Sequence, residues 1–169
     1  MTLQRKVCLL GAYAVGKTSL IRRYVLSLFD ERYLTTIGVR VDKKVLTVGG
    51  HEMTMMLWDL AGQDEVTPVD LRRCRGSAGL ILVADGCRAH TLDTALQLSR
   101  AADSIVDAAT PRVLAVNKAD LAEDWELVQS QLDRLSAEGW RLFVTSAKSG
   151  QGVEALFSDL ASRMVPVEP

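Results

Sequence analysis

Residues 11–18 have the composition and spacing of a phosphate-binding loop. Their sequence, GAYAVGKT, matches the pattern GxxxxGK[ST] and lies between a strand-like run and a helix-like run. The glycines let such a loop wrap tightly, so that backbone N–H groups and the positive end of the helix dipole face phosphate oxygens. Lys17 supplies a positive charge for the β and γ phosphates, and Thr18 offers a hydroxyl to Mg²⁺. We therefore predict a polyphosphate site on this segment.

A second segment, WDLAGQ at residues 58–63, carries a carboxylate at the end of a predicted strand. Opposite a phosphate loop, Asp59 can hold Mg²⁺ through water, and Gly62 lets its backbone N–H approach a γ-phosphate. Gln63 is placed to orient an attacking water. These roles depend on the upstream loop, because an isolated Asp at a strand end can equally be a capping or turn residue.

A third segment, TTIG at residues 35–38, precedes the first strand of a predicted hairpin. A loop threonine can complete a Mg²⁺ shell and bring its backbone to the γ-phosphate. The spacing from Lys17 favours Thr36 for this role, although a threonine in a loop is by itself a weak indication of a site.

Two further segments, NKAD at residues 117–120 and SAK at residues 146–148, have the chemistry to recognise guanine. The Asp120 carboxylate can accept two parallel hydrogen bonds from the N1–H and the exocyclic amine of guanine, which adenine cannot offer in that arrangement. A buried polar group that loses its partner costs about 1–3 kcal/mol, so such a site excludes adenine. Lys118 can lay its aliphatic stem over the ring, and the Ala147 N–H can meet the base carbonyl.

Strand-like and helix-like patterns alternate along the chain. Apolar or alternating runs lie at residues 7–10, 39–48, 53–59, 78–84, 113–116 and 142–145, and helical spacing lies at 16–28, 91–106, 125–137 and 153–164. The pair Gly49-Gly50 joins two alternating runs and predicts a hairpin. This order predicts an α/β fold with a mixed, mostly parallel sheet and helices on both faces. Ligands of such sheets bind beyond the carboxyl ends of the strands, where four of the five motif segments lie.

The composition limits the class of protein. Its 169 residues, with 20 Lys and Arg and 21 Asp and Glu, suit one domain of net charge −1. This balance gives no support for nucleic-acid binding or for a polybasic membrane contact. The three unpatterned cysteines favour a reducing compartment such as the cytoplasm, and no apolar run approaches the roughly 18 residues of a spanning helix.

The five motifs together resemble those of the small GTPases, and within them the Rab branch, over essentially the whole chain. TIGV at residues 36–39, WD at 58–59 and the pair Arg75-Gly76 are the Rab-like features, and the absence of a long insertion between Asp120 and Ser146 argues against the Rho branch. The resemblance implies a P-loop NTPase G domain over residues 1–165, with a six-stranded, mostly parallel sheet, five helices and a short tail at 166–169. It also implies a molecular switch that binds GTP or GDP with Mg²⁺ and slowly hydrolyses GTP.

The resemblance also implies which residues form the site. Catalysis falls to Gln63, Lys17, Thr36 and Gly62, and Mg²⁺ binding to Thr18, Thr36 and Asp59. The residues implied to bind the nucleotide are Gly11, Ala14, Val15, Gly16, Lys17, Thr18, Ser19, Phe29, Tyr33, Asn117, Lys118, Asp120, Ser146, Ala147 and Lys148. Of these, Phe29 lies where the family places an aromatic edge against the base, and Tyr33 where a tyrosine covers the phosphates.

Tyr13 departs from the family, which commonly has a small residue at this position beside the γ-phosphate. A tyrosine ring there fills the space that a partner's arginine finger would cross, and such a finger supplies on the order of 10³–10⁵ in rate. We therefore expect slow hydrolysis and a poor response to finger-type activators, unless the ring turns into solvent. The alternative is a binding module that holds nucleotide with little turnover, although the retained Gln63, Thr36 and Asp59 count against it. A P-loop kinase is a third hypothesis, which NKAD opposes.

In the family, the segment with the Thr36 threonine is called switch I and the segment from Asp59 to Gln63 is called switch II. The resemblance implies protein effectors and regulators that contact switch I, switch II and the strand Val39–Val48. Rab proteins use an aromatic triad for this purpose, and the corresponding positions here are Val41, Trp58 and Arg73, of which only Trp58 is aromatic. The alternating Arg40, Asp42 and Lys44 are either a solvated face or a recognition stripe.

The chain ends without a CaaX box or a basic run. We therefore expect no membrane anchor in this chain, so that it would reach a membrane only through partners or through a missing tail. Separately, we expect a cytoplasmic monomer.

Overall fold

A six-stranded sheet with helices on both faces organises the protein. The computed structural model describes residues 2–29, 38–63 and 68–167. The strands are β1 (Leu3–Gly11), β2 (Val39–Val48), β3 (His51–Leu60), β4 (Gly79–Asp85), β5 (Arg112–Asn117) and β6 (Leu142–Val144). The α-helices of the described ranges are α1 (Lys17–Leu26), α2 (His90–Ala101), α3 (Gln129–Ala137) and α4 (Val153–Arg163).

The strand order is β2-β3-β1-β4-β5-β6, with every neighbouring pair parallel except the β2–β3 hairpin. The predicted mixed, mostly parallel sheet is therefore confirmed. The hairpin turn is Gly49-Gly50, and both residues have positive φ values of 55° and 78°. Glycine suits both positions because a two-residue hairpin turn that matches the strand twist needs left-handed backbone.

Two apolar cores lie on opposite faces of the sheet. Strand β1 supplies both, because alternate side chains of a strand point to opposite faces: Val7 and Leu9 join the core beneath α1 and α4, and Cys8 and Leu10 join the core beneath α2 and α3. All four residues are fully buried. Burial on both faces explains the continuous apolar runs, which are typical of the central strands of a parallel sheet.

Aromatic stacking joins the two helices on the first face. The rings of Tyr24 in α1 and Phe157 in α4 are parallel, with centroids 4.0 Å apart. Burial raises the pKa of Tyr24 to about 12.

The alternating charged side chains of β2 bind partners in the same chain. Lys44 Nζ donates to the Tyr24 carbonyl oxygen at 3.2 Å, and Arg40 pairs with Asp42 at 3.2 Å. These three charged side chains of β2 therefore already have partners within the chain.

Three predicted helix boundaries differ from the structure. The helix predicted over 16–28 ends at Leu26. The helix predicted over 125–137 begins at Gln129, because Trp125 instead packs against Gly86 and donates its Nε1–H to the Lys118 carbonyl oxygen at 2.8 Å. The helix predicted over 91–106 ends at Ala101 and continues as a short 3₁₀ helix.

The resemblance implies five helices, and the described ranges contain four α-helices. A 3₁₀ turn at Leu71–Cys74 occupies the region after switch II. Within the described part of the chain, no helix has the length and apolar content needed to cross a membrane.

The fully buried Phe157 side chain generates a stability prediction. Phe157→Ala should lower the free energy of unfolding by about 3–5 kcal/mol, since it removes both the buried volume and the stack on Tyr24. Urea denaturation measures this change. As a control, Leu26→Ala on the same face of the molecule should change stability by about 0.5 kcal/mol or less, because Leu26 is 51% exposed. Equal losses for the two variants would contradict the prediction.

Candidate functional site

The predicted phosphate loop connects β1 to α1 at the carboxyl edge of the sheet. Gly16 precedes the helix with φ +103°, and a Cβ added there would lie 2.3 Å from Asn117 Nδ2. A Cβ on Gly11 would lie 2.5 Å from the Val83 carbonyl oxygen. Both positions therefore need glycine for close approach, and Gly16 needs it for its backbone conformation as well.

Lys17 lies inside this loop rather than in solvent. Its side chain is 6% exposed, and Nζ donates to the carbonyl oxygens of Gly11 at 3.3 Å and Ala12 at 3.1 Å. Burial lowers the pKa of Lys17 to about 8, although the nearby Asp59 carboxylate acts in the opposite direction. A buried ammonium in this position is stabilised by an added anion, which is the chemistry expected of a phosphate-binding lysine.

Thr18 and Asp59 meet where β3 ends beside α1. Thr18 Oγ1 donates to Asp59 Oδ2 at 2.6 Å, and Asp59 is 1% exposed. A hydroxyl and a carboxylate are hard oxygen donors of the kind that Mg²⁺ prefers, so these residues fit that ion. Within the described residues, no group of three or more His, Cys, Asp or Glu side chains could hold a metal. A Mg²⁺ ion here would therefore take further oxygens from water and phosphate.

The backbone of residues 62–63 docks against the phosphate loop. Gln63 N–H donates to the Gly11 carbonyl oxygen at 3.1 Å, and Tyr13 N–H donates to the Gln63 carbonyl oxygen at 3.0 Å. A Cβ on Gly62 would lie 2.7 Å from Tyr13 Cα. The two segments can therefore approach this closely only with glycine at position 62.

Asn117 connects the predicted base-binding segments to the phosphate loop. Its Nδ2 donates to the Val15 carbonyl oxygen at 3.0 Å. Its Oδ1 accepts from Thr145 Oγ1 at 3.1 Å and from Ala147 N–H at 3.3 Å. Because the side chain is 2% exposed, these bonds satisfy an amide that water cannot reach.

The other members of the two base-binding segments also converge. Lys118 Nζ donates to the Ala14 carbonyl oxygen at 3.0 Å, and Asp120 Oδ1 accepts from Ser146 Oγ at 2.7 Å. The structure thus brings NKAD and SAK, which are far apart in sequence, to one edge of the sheet beside the phosphate loop.

Of the remaining predicted site residues, the structure describes Ser19 and Phe29 but not Tyr33 and Thr36. Ser19 lies half-buried in the first turn of α1, and Phe29 packs half-buried against the core beneath α1 and α4. Thr36 and Tyr33, with the rest of residues 30–37, lie outside the described residues, so their predicted roles stay predictions.

Sequence reasoning missed Arg23, which holds the SAK loop from α1. Its Nε donates to the Ala147 carbonyl oxygen at 2.7 Å, and its Nη2 donates to the Lys148 carbonyl oxygen. It also missed Asp85, a buried carboxylate at the end of β4. The position of Asp85 directly after an apolar run was a usable signal, whereas nothing in the sequence distinguishes Arg23 from a surface arginine.

Comparison with known proteins gives one consistent result. The sequence model of the Ras family matches residues 6–166. Ras-related protein Rab-13 of Bos taurus is 32% identical over 157 residues, which cover 92% of this chain and 77% of that protein. Ras-related protein Rab-30 of Homo sapiens is 33% identical over 161 residues (95% and 79%), and Ras-related protein Rab-4 of Dictyostelium discoideum is 32% identical over 153 residues (90% and 75%).

The buried Asn117 amide generates a prediction that needs no ligand. Asn117→Asp should lower the free energy of unfolding by about 1–3 kcal/mol, because the Nδ2 donor to Val15 becomes an oxygen that faces another acceptor. Urea denaturation measures the loss. The reverse exchange at an exposed position, Asp93→Asn in α2, serves as the control and should change stability by about 0.5 kcal/mol or less. An unchanged unfolding midpoint for Asn117→Asp would contradict the assigned contact.

Proposed function

Because this chain belongs to the Ras family of small GTP-binding proteins, we propose that it is a Rab-like molecular switch that hydrolyses GTP slowly. It holds GTP or GDP together with Mg²⁺, and its two nucleotide states recruit different protein partners. The observation that carries this proposal is the direct hydrogen bonding of the NKAD side chains Asn117 and Lys118 to the carbonyl oxygens of the phosphate loop.

The phosphate end of the proposed site works by positioning and charge. Backbone N–H groups of the loop and the Lys17 ammonium bind the phosphates, and Thr18 and Asp59 are the residues that would hold Mg²⁺. When bound, Mg²⁺ offsets the negative charge of the β and γ phosphates. The lowered pKa of Lys17 supports this assignment, since its burial is compensated once an anion lies beside it.

The base end of the proposed site selects guanine. Asp120 accepts two hydrogen bonds from guanine, while Lys118 covers the ring and the Ala147 N–H meets the base carbonyl. The hydrogen bond from Ser146 to Asp120 supports this assignment, because it fixes the carboxylate without occupying both of its oxygens.

For hydrolysis, we propose that the Gln63 side chain orients the attacking water. Lys17 offsets the charge that develops on the phosphates, and Thr36 and Gly62 hold the two switch segments against the γ-phosphate. No covalent intermediate is needed, because positioning and electrostatic stabilisation account for this type of phosphoryl transfer.

The nucleotide-holding module is the second candidate, and Tyr13 is the residue that favours it. Tyr13 lies in the phosphate loop beside Gly62, and its side chain is 45% exposed. A half-exposed ring at this place can hinder an incoming arginine of an activator. Gln63 and Asp59 keep the residue types that turnover requires, which supports the switch over the module.

We propose that partners contact the face around Trp58, with the protein acting as a monomer. Val41 pairs with Trp58 in the β2–β3 ladder and is 40% exposed. Lys6 Nζ lies 3.8 Å from the centre of the Trp58 ring and donates to the Arg73 carbonyl oxygen at 2.6 Å. The three triad positions are therefore neighbours, but two of them, Val41 and Arg73, are aliphatic and basic in place of aromatic, so Rab effector identities do not transfer.

Guanine selectivity tests the base end of the site. GTP should displace a fluorescent GDP analogue at far lower concentration than ATP does. Asp120→Asn should weaken GDP binding by roughly 10–100-fold, because two hydrogen-bond acceptors facing two donors become one acceptor and one donor. The same variant should gain affinity for xanthosine diphosphate, whose second carbonyl accepts from the new amide.

The matched control for guanine selectivity is Asp124→Asn, an exposed carboxylate in the same loop, which should leave both affinities unchanged. Equal displacement by ATP and GTP, or an Asp120→Asn variant that keeps its preference for guanine, would contradict the proposed base recognition.

Single-turnover hydrolysis of bound GTP separates the switch from the module. Gln63→Leu should slow turnover by roughly 10–100-fold, because water loses its orienting amide. With an arginine-finger activator added, Tyr13→Gly should accelerate turnover, because it clears the path of the activator's arginine, whereas Tyr13→Phe, which keeps the ring, should not. If turnover is undetectable in the natural sequence and unchanged in all three variants, the nucleotide-holding module is the better description.

A further inference from the structure

A buried carboxylate outside the predicted site binds two cations that reach the phosphate loop. Asp85 ends β4 and is 1% exposed. Its Oδ2 lies 3.0 Å from Arg88 Nε and 2.8 Å from Lys118 Nζ, and its Oδ1 accepts from Cys87 N–H at 2.8 Å. Asp85 therefore gathers partners from the turn that follows β4 and from the base-binding segment.

Each of the two cations also binds a carbonyl oxygen of the phosphate loop. Arg88 Nη2 donates to the Tyr13 carbonyl oxygen at 2.8 Å, and Lys118 Nζ donates to the Ala14 carbonyl oxygen at 3.0 Å. These are consecutive peptide units. A single carboxylate thus holds two successive carbonyl groups of the loop through one arginine and one lysine.

The charges of this network are maintained in the folded protein. Burial acts to raise the pKa of Asp85, but the hydrogen bonds from Lys118, Cys87 N–H and Arg88 together hold that pKa below its usual value. Asp85 is therefore ionised at neutral pH, and its bonds are charge-assisted, which makes them stronger than neutral ones.

The peptide geometry shows what this network does for the loop. In a trans peptide, the C=O and N–H groups point in opposite directions. When the Tyr13 and Ala14 carbonyls face Arg88 and Lys118, the N–H groups of Ala14 and Val15 face the opposite side of the loop. That side is where a phosphate-binding loop presents its donors.

Holding the loop in this orientation costs free energy at Ala14, because the orientation requires an unfavourable backbone conformation there. Its φ is +61°, in the left-handed region that residues with a Cβ seldom adopt. Such a conformation persists only where surrounding contacts determine it. The bonds to the carbonyls on either side of Ala14 are contacts of that kind.

We propose that Asp85 and Arg88 are positioning residues of the nucleotide site, which act with Lys118 to hold the Tyr13–Ala14 and Ala14–Val15 peptides with their N–H groups toward the phosphates. This inference rests on the proposed nucleotide binding and extends it to two residues outside the five motifs. Arg88 borders an open cavity of about 410 Å³ together with Tyr13 and Leu121. Its replacement therefore removes a surface contact and not a part of either core.

The test compares a ligand that has phosphates with one that has none. Dissociation constants are measured for GDP by fluorescence competition and for guanosine by NMR titration. Arg88→Ala should weaken GDP binding by about tenfold, because one charge-assisted bond to the loop is lost, and should leave guanosine binding unchanged. Arg88→Lys should recover only part of the loss, since one ammonium cannot replace a guanidinium that binds Asp85 and Tyr13 from different nitrogens.

Two further variants complete the design. Asp85→Asn should weaken GDP binding more than Arg88→Ala does and should also weaken guanosine binding, because it loosens Lys118 as well. Arg100→Ala removes an exposed arginine from the nearby helix α2 and should change neither constant. Circular dichroism melting checks that each variant is folded, and Arg88→Ala carries the test if Asp85→Asn does not fold.

The outcomes separate this inference from the function on which it rests. If the natural sequence binds neither GDP nor GTP, the proposed function fails. If it binds GDP but Arg88→Ala keeps that affinity within about twofold, or loses guanosine affinity by the same factor as GDP affinity, the positioning role is overturned. Complete recovery by Arg88→Lys would likewise overturn the role of the guanidinium geometry.

Discussion

The hydrogen bond from the Asn117 side chain to the Val15 carbonyl oxygen is the contact on which the rest of the site depends. It joins the loop after β5 to the loop after β1, and the same amide also binds Thr145 and the Ala147 backbone after β6. One buried side chain therefore fixes three strand-end loops relative to one another. An amide suits this place because it donates on one side and accepts on the other, so each neighbouring carbonyl, hydroxyl or N–H finds its complement.

The strand register makes this convergence possible. Leu9 of β1 is opposite Asp59 of β3, and Asp85 of β4 is opposite Asn117 of β5. Because neighbouring parallel strands end at the same edge, polar residues that follow buried runs come together without any long-range sequence signal. The proposed phosphate and base ends of the site are thus products of one arrangement of strands. Side chains then refine it: Lys17 fills the inside of the phosphate loop, and Arg88 and Lys118 hold its outside.

Much of the fold was predictable because its causes are local. The Gly49-Gly50 turn and the alternating runs on either side predict the hairpin, and the continuous apolar runs predict the buried parallel strands. The predicted helix boundaries were wrong where a tertiary contact or a left-handed backbone conformation overrides the helical pattern. Trp125 has helical spacing, yet its indole binds the Lys118 carbonyl oxygen and packs on Gly86, so helix α3 begins four residues later. At the end of α1, Ser27 adopts a left-handed conformation with φ +54°, which ends the helix before Leu28.

The sequence by itself determined the family, the fold class and the residue types at the ends of the strands, because motif spacing and hydrophobic periodicity are properties of short stretches of chain. The tertiary structure alone decided which cations meet which carbonyls. Arg23 reaches the loop at residues 146–148 across more than a hundred residues of sequence, and Arg88 reaches Tyr13 across 75. Such pairings depend on strand order, backbone φ values such as that of Ala14 and the burial of Asp85. None of these is encoded by any single segment, since each results from elements packed against one another.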